Sequence, residues 1–347
     1  MPLASGRAIE ILETMMTKTR YDVVGLGNAI VDIIAPADDA FLRAWDIQKD
    51  AMSLIEEERA EQLTEQAGDA VVTSGGSGAN TIAGLASFGA SVSYMGKVAK
   101  DDLGAQFRTE MTGGGVSFGT EPLESGPATA RCIIFVTDDG ARSMNTFLGA
   151  SVMFSPEDIN ADIVSNAAIL YLEGYLFDRD EAKAAFVHAS EIAKAAGRKV
   201  ALTLSDSFCV GRHRESFLHL VRNHVDILFA NEDELLALYE IADFDDAMAK
   251  LQADIGVAAV TRGAAGSVVV GDGAPVAVAA EPVNAVVDTT GAGDQYAAGF
   301  LYGIARDLPL PICAKLGHIA AAEVIAHYGP RPEVSLAGLA KAAGIDA

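Results

Sequence analysis

Asp288-Thr289-Thr290-Gly291-Ala292-Gly293-Asp294 separates two stretches of opposite character. Before it, Val283 to Val287 is apolar and β-prone; after it, Gln295-Tyr296-Ala297-Ala298-Gly299-Phe300-Leu301 is compatible with a helix. The pattern predicts a strand, a tight glycine turn and a helix N-terminus. Gly291 and Gly293 lack Cβ atoms and let the backbone approach a ligand closely. The first N–H groups of a helix have no internal acceptor, and with the helix dipole they attract an anion such as a phosphate. Asp294 falls just past that seat. A carboxylate beside an anion site is costly, and the task that suits it is taking the proton of a hydroxyl that attacks phosphorus. The plainer alternative is an acidic residue in an ordinary first helical turn.

These seven residues, in this order, resemble the signature of the ribokinase (PfkB-type) family of sugar and nucleoside kinases. The resemblance implies that Asp294 is the catalytic base, with Gly291, Ala292 and Gly293 around the transferred phosphoryl group. It also implies a monovalent cation, K⁺, near Asp288 and Thr290.

The chain has 347 residues, half of them hydrophobic, enough for one large α/β domain with a smaller appendage. Against 25 Lys+Arg stand 48 Asp+Glu, a formal charge of −23. That field repels nucleic acid and anionic membrane, so an anionic substrate must meet a local concentration of donors. Cys132, Cys209 and Cys313 are scattered and odd in number. They argue against a disulfide framework or a metal site and for free thiols in a reducing cytoplasm. No run of about 18 apolar residues predicts a membrane span. Residues 1–20 read as a mixed, charged N-terminal extension unlike a signal peptide, with Met16 an alternative start. Residues 21–347 read as one unit.

Within that unit, Tyr21 to Asp32 begins as a buried strand and runs into Gly25, Gly27, Asn28 and Asp32. Asn28 and Asp32 supply an amide and a carboxylate, groups that bind vicinal hydroxyls; the alternative is a strand end with a solvated Asp. Gly75, Gly76 and Gly78 open a helix of small residues but lack the Gly-Lys-Ser/Thr of a P-loop. They let a sugar ring lie against the backbone with Asn80 donating from the first turn, or they form a flexible loop and cap. From about residue 160, strands and helices alternate, which argues for a parallel sheet covered on both faces. Ligands then sit beyond the carboxyl ends of the strands. Asn28, Asn80, Asn231 and Asp294 all follow predicted strands and converge there, with Glu173-Gly174-Tyr175 bordering the same cleft. Asn231 and Glu234 have the spacing of a capping box. Thr261, Gly263 and Gly266 mark a hairpin turn between Val257–Thr261 and Ser267–Val270. Ala128–Val136 and Ala141–Leu148 form a second hairpin around Asp138-Asp139-Gly140.

The family resemblance spans about residues 20 to 340. It implies a three-layer α/β/α core with a mostly parallel sheet, and a small β-sheet lid built from about 33–72 and 113–150. It assigns Asn28, Asp32, Gly75, Gly76 and Asn80 to the sugar of the substrate. Asn231 and Glu234 organise Mg²⁺ and phosphate through water. Thr261, Gly263 and Gly266 border the ATP ribose and phosphates, and Leu316 to Pro330, with His318, walls the adenine pocket. Gly96-Lys97-Val98-Ala99-Lys100-Asp101-Asp102-Leu103-Gly104 matches a further family segment except at Ala99, where glycine is usual. The Arg142-Ser143 hairpin and the segments 75–80 and 316–330 are most similar to those of adenosine kinases. That similarity has Arg142 reach the transferred phosphate while apolar neighbours cover a nucleoside base. The expectation is an ATP- and Mg²⁺-dependent kinase of a nucleoside 5′-hydroxyl, adenosine first, working as monomer or homodimer. The alternatives are a sugar kinase of the same fold (ribokinase, fructokinase or 2-keto-3-deoxygluconate kinase type) and a non-catalytic nucleoside- or sugar-binding regulator.

Overall fold

The computed structural model describes residues 19–346, so of the expected N-terminal extension only Thr19 and Arg20 fall within it. The strands in chain order are β1 (Tyr21–Leu26), β2 (Ile30–Pro36), β3 (Met52–Leu54), β4 (Val71–Gly75), β5 (Val92–Met95), β6 (Val116–Phe118) and β7 (Ala130–Val136). They continue with β8 (Arg142–Phe147), β9 (Ala167–Glu173), β10 (Lys199–Thr203), β11 (Ile227–Asn231), β12 (Val257–Thr261), β13 (Ser267–Val270) and β14 (Val276–Val278).

Nine strands join in the order β14-β13-β12-β11-β10-β9-β1-β5-β6. From β6 across to β12 every pair is parallel, and β13 and β14 add two antiparallel pairs at one edge. The central strands are apolar throughout because both faces are covered. Leu26, Leu170, Leu172, Leu202 and Leu228 pack against Phe186, Phe217, Leu235 and Leu251 of four helices between residues 180 and 254. Alternate residues Val23, Ile169, Tyr171, Ala201 and Phe229 face the other layer. There they meet Ile82, Phe107, Phe300 and Leu316 of the helices Ser77–Ser87, Asp102–Gly113, Ala292–Ile304 and Leu310–Val324. This is the expected three-layer core. Among the described residues no helix is long and apolar enough to cross a membrane.

The winding reverses at β1: the chain proceeds through β5 and β6 on one side and through β9 to β12 on the other. The crevice beyond the carboxyl ends of β1 and β9 is therefore a topological switch point, where open α/β sheets hold ligands. Asn28 follows β1, Glu173 ends β9, and their side chains meet at 3.1 Å.

A second sheet has the order β3-β8-β7-β2-β4. Successive side chains in a strand alternate between faces. Ile33, Ala35, Ile133, Phe135 and Phe147 pack on Leu42, Ala60 and Leu63 of the helices Asp39–Ala44 and Glu57–Gln66. The register puts Asp32, Ile34, Ile134, Met144 and Arg142 on the opposite face, with Met52, Leu54 and Val71 beside them. These last three side chains are exposed.

Two sequence expectations are corrected. Val283 to Val287 is irregular chain rather than a strand, with Val286 and Val287 exposed. The large sheet already ends at β14, so this segment has no strand beside it; its Val287 N–H donates instead to the Ile325 carbonyl at 2.8 Å. The span 113–150 is not wholly an insertion, because β6 pairs with β5 as the edge of the large sheet. Three residues, with Val116 and Phe118 buried around Ser117, are too short a pattern to separate from a turn.

The helices Ala292–Ile304 and Leu310–Val324 approach closely through glycines. A Cβ on Gly299 would overlap the Leu316 carbonyl, and one on Gly317 would lie 2.7 Å from the Tyr296 carbonyl. Gly299→Ala must push the helices apart, so we expect a loss of about 1–3 kcal/mol, read as a lower urea midpoint. An unchanged midpoint would contradict the close approach.

Candidate active site

Asp294 lies in the first turn of the helix Ala292–Ile304, capped by Gly291 in the left-handed region at φ 79°. Glycine suits that conformation, and a Cβ there would sit 2.6 Å from Pro330 Cα. Asp288 holds the turn. Its Oδ1 accepts from the Thr290 N–H at 3.0 Å and the Thr290 hydroxyl at 2.7 Å. Its Oδ2 accepts from the Gly329 N–H at 3.1 Å and from Arg142 Nη1 of the second sheet. Burial raises the Asp288 pKa, but these hydrogen bonds and the Arg142 charge outweigh it and leave the carboxyl below its ordinary value. Ala292 does not offer its N–H to a ligand as expected, since it donates to the Thr289 carbonyl at 3.2 Å. The N–H groups of Gly293 and Asp294 are first-turn groups with no intrahelical acceptor.

The Asp294 carboxylate accepts from the Ser77 hydroxyl at 2.6 Å and from Asn80 Nδ2 at 3.2 Å. Arg331, which carried no signal in the sequence beyond its place between two prolines, donates from Nε to Asn80 Oδ1 at 3.1 Å. Its Nη1 donates to the Ser74 hydroxyl at 2.6 Å. Burial pushes the Asp294 carboxyl up to about 6, against the opposing pull of Ser77, Asn80 and Arg331. Asp32 is also pushed up to about 6 by burial, with Arg331 and Arg142 working against the rise.

The glycines have more local work than the sequence suggested. A Cβ on Gly75 would overlap the Asp32 carboxylate, and Gly76, at φ 90°, would press on the Asn28 carbonyl. Asn28 is fixed from below: Glu173 accepts from its Nδ2 at 3.1 Å and its N–H at 3.2 Å. Glu173 also accepts from the Gly78 N–H at 2.7 Å. Burial pushes Glu173 up to about 7. It is a strut joining β9, the chain after β1 and the helix Ser77–Ser87, rather than part of the cleft wall expected of it. Asn28 Oδ1 and the Nε and Nη2 of Arg142 are buried with no hydrogen-bond partner, the kind of orphaned groups that a polyhydroxylated, anionic ligand pair would satisfy.

A cleft of ≈480 Å³ runs from Ser77, Gly293 and Asp294 to Asn231, Glu234, Thr261 and Gly263. Asn231 and Glu234 form a reciprocal cap: Glu234 accepts from the Asn231 N–H at 2.9 Å, and Asn231 Oδ1 from the Glu234 N–H at 2.8 Å. Burial pushes the Glu234 carboxyl up to about 7. Two expected nucleotide contacts stand off this cleft. His318 is packed behind the wall, its Nε2 2.9 Å from the Ser267 hydroxyl and its ring edge-on to Tyr296. Gly266 serves the β12–β13 turn, where a Cβ would overlap the Val278 carbonyl.

Among the described residues no three His, Cys, Asp or Glu side chains gather to hold a metal alone. One buried carboxylate on the cleft, Glu234, suits Mg²⁺ carried in with a nucleotide and bound through water, since Mg²⁺ keeps several waters. Asp288 suits a monovalent cation poorly: its charge is matched by Arg142 and its oxygens accept four donors.

Asp32, Glu173, Glu234 and Asp294 have pKa values of about 6 to 7, above those of exposed carboxyls. As pH rises from 4 to 7 the unfolded chain loses these protons first, so the folded state loses stability over that window. Asp101, Glu110 and Asp288 are shifted down and act below it, destabilising only as pH falls through the acid range. The ligand-free protein should therefore have a higher urea midpoint near pH 5 than near pH 7.5. A midpoint that rises toward pH 7.5 would contradict the burial of these carboxyls.

Comparisons with known proteins bear on this geometry. Residues 44–335 match the pfkB family of carbohydrate kinases. A crystal structure of adenosine kinase from Sinorhizobium meliloti is 54% identical, covers 93% of this chain and 99% of its own, and superposes with a TM-score of 0.87. That of a probable sugar kinase from Rhizobium etli CFN 42 is 49% identical over 94% of this chain and 100% of its own, with a TM-score of 0.89. Adenosine kinase 2 of Arabidopsis thaliana is 28% identical over 343 residues, covering 91% of this chain and 97% of its own. With a carboxylate at a helix N-terminus, a cleft beside it and a family model matching most of its length, the chain belongs to the pfkB family of carbohydrate kinases and is a kinase.

Proposed function

We propose that the chain transfers the γ-phosphoryl group of ATP to the 5′-hydroxyl of a nucleoside, adenosine being the first candidate. The observation that carries this reading is the Asp294 carboxylate, held by Ser77 and Asn80 at the mouth of a cleft that continues to Asn231 and Thr261. With a pKa of about 6 it is ionised at neutral pH and able to accept a proton. Asp32 and Asn80 hold the ribose hydroxyls. The 5′-oxygen then points at Asp294, which takes its proton as the bond to phosphorus forms and the bond to ADP breaks. The N–H groups of Gly293 and Asp294, with Arg142, stabilise the charge on the transferred group. Glu234 would hold Mg²⁺ carried in with the nucleotide, and the ion would supply neutralisation of phosphate charge there. Positioning and electrostatics supply most of the acceleration in this chemistry.

A nucleoside rather than a bare sugar is favoured by what surrounds Asp32. On the same face of the second sheet lie Ile34, Ile134, Met144, Met52 and Leu54, an apolar platform for a base. A free sugar has no apolar group to spend on it. The likeness to the S. meliloti adenosine kinase, at 54% identity, points the same way.

ADP release measured against nucleosides, ribose, fructose and sugar acids tests the reading; we expect adenosine to be fastest. Turnover confined to free sugars would replace it with the sugar-kinase alternative. Asp294→Asn should lower turnover roughly 10²–10⁴-fold, the scale of a general base. Turnover near the wild-type rate in that variant would remove Asp294 from the mechanism.

A further inference from the structure

We infer that Arg331 is a positioning residue of the phosphoryl-transfer site: its guanidinium fixes which way the Asn80 carboxamide points and thereby orients the Asp294 carboxylate. The inference rests on the reading of Asp294 as proton acceptor. A carboxamide has one accepting and one donating end. Arg331 Nε donates to Asn80 Oδ1 at 3.1 Å, which leaves Nδ2 to donate to Asp294 Oδ2 at 3.2 Å. Were the amide to flip, its oxygen would face the carboxylate and the contact would turn repulsive.

Arg331 is itself held in place. It stands between Pro330 and Pro332, which restrict the backbone on both sides. The Pro330 carbonyl accepts from Gln295 Nε2 at 2.9 Å, and the same nitrogen donates to the Asn80 carbonyl at 3.1 Å. Pro330 also packs against Gly291. The segment 329–331 thus straps the glycine turn to the helix Ser77–Ser87. The second arm of the guanidinium reaches Ser74, at the end of β4, at 2.6 Å. A lysine keeps the charge but has no planar fork to reach Asn80 and Ser74 together.

The groups around Asp294 set what removal would do. Asp32 on β2, Glu173 and Tyr171 on β9, Tyr175 just beyond it, and Tyr94 on β5 all interact electrostatically with Asp294, and Arg331 is the cation that counters them. Without that charge the Asp294 carboxyl titrates at higher pH.

The experiment is a pH profile of kcat for wild type, Arg331→Met, Arg331→Lys and Asp294→Asn, using MgATP and the acceptor turned over fastest in the panel above. Arg331→Met should lose roughly 10²-fold in kcat, as for a small misplacement at a reacting centre, and its acid limb should move up by about one pH unit. Arg331→Lys should also lose kcat while its acid limb stays in place, a separation that a purely structural role would not produce. A folded Arg331→Met with wild-type kcat and acid limb overturns the inference. If circular dichroism shows Arg331→Met unfolded, Arg331→Lys decides: reduced kcat with an unmoved acid limb supports the inference, and wild-type kcat overturns it. Should Asp294→Asn be inactive while Arg331→Met behaves as wild type, this inference alone falls. Should Asp294→Asn be fully active, the reading of Asp294 as proton acceptor falls, and this inference with it.

Discussion

The structure depends on holding one carboxylate, Asp294, half-buried on the cleft and still ionised at neutral pH. Burial disfavours its charged form, and hydrogen bonds from Ser77 and Asn80 together with the charge of Arg331 pull the other way. The balance leaves a base whose pKa lies just under neutrality. The three donors come from a helix on the far side of the sequence and from a proline-flanked loop near the C-terminus. The fold exists, in this respect, to bring residues 74–80, 288–294 and 329–331 to one point. Glu173 and Glu234 repeat the theme, each a buried acid surrounded by donors, while Asp32 is buried within the fields of Arg331 and Arg142. In a chain with a formal charge of −23 such local donors are what make an anionic ligand tolerable.

The two sheets divide the labour. The large sheet supplies a rigid switch point, where Asn28 and Glu173 lock the ends of β1 and β9 together. The second sheet brings Asp32 and Arg142 in on one face, together with apolar side chains. Arg142 pairs with Asp288 and so links that sheet directly to the glycine turn.

The sequence was most legible where chemistry and backbone coincide. The run 288–294 has glycine where the left-handed cap at 291 needs it and an acid, Asp294, in the first turn that follows, and both are plain in the letters. Alternating strands and helices from residue 160 onward were readable because each strand is long and apolar enough to cross a buried layer. The failures have physical reasons. Val283–Val287 has a strand's composition but no neighbouring strand to bond. The β6 strand is too short for alternation to show. His318, expected near an adenine pocket, packs on Ser267 and Tyr296 behind the cleft, a burial that the spacing of its helix does not reveal. Arg331 was missed because its role is set by three contacts distant in sequence, and a lone cation in an apolar C-terminal region has no spacing to read. Gly75 was noticed as a ligand contact, whereas its need to lack a Cβ so as to admit the Asp32 carboxylate left no sign in the sequence.

The most direct test of the central claim is a crystal structure with adenosine and a non-hydrolysable ATP analogue. The account predicts the 5′-oxygen within about 3 Å of the Asp294 carboxylate, the ribose diol on Asp32, and the terminal phosphate of the analogue at the Gly293 and Asp294 amides. A nucleoside bound with its 5′-oxygen turned away from Asp294, or an analogue whose terminal phosphate avoids that helix N-terminus, would contradict it.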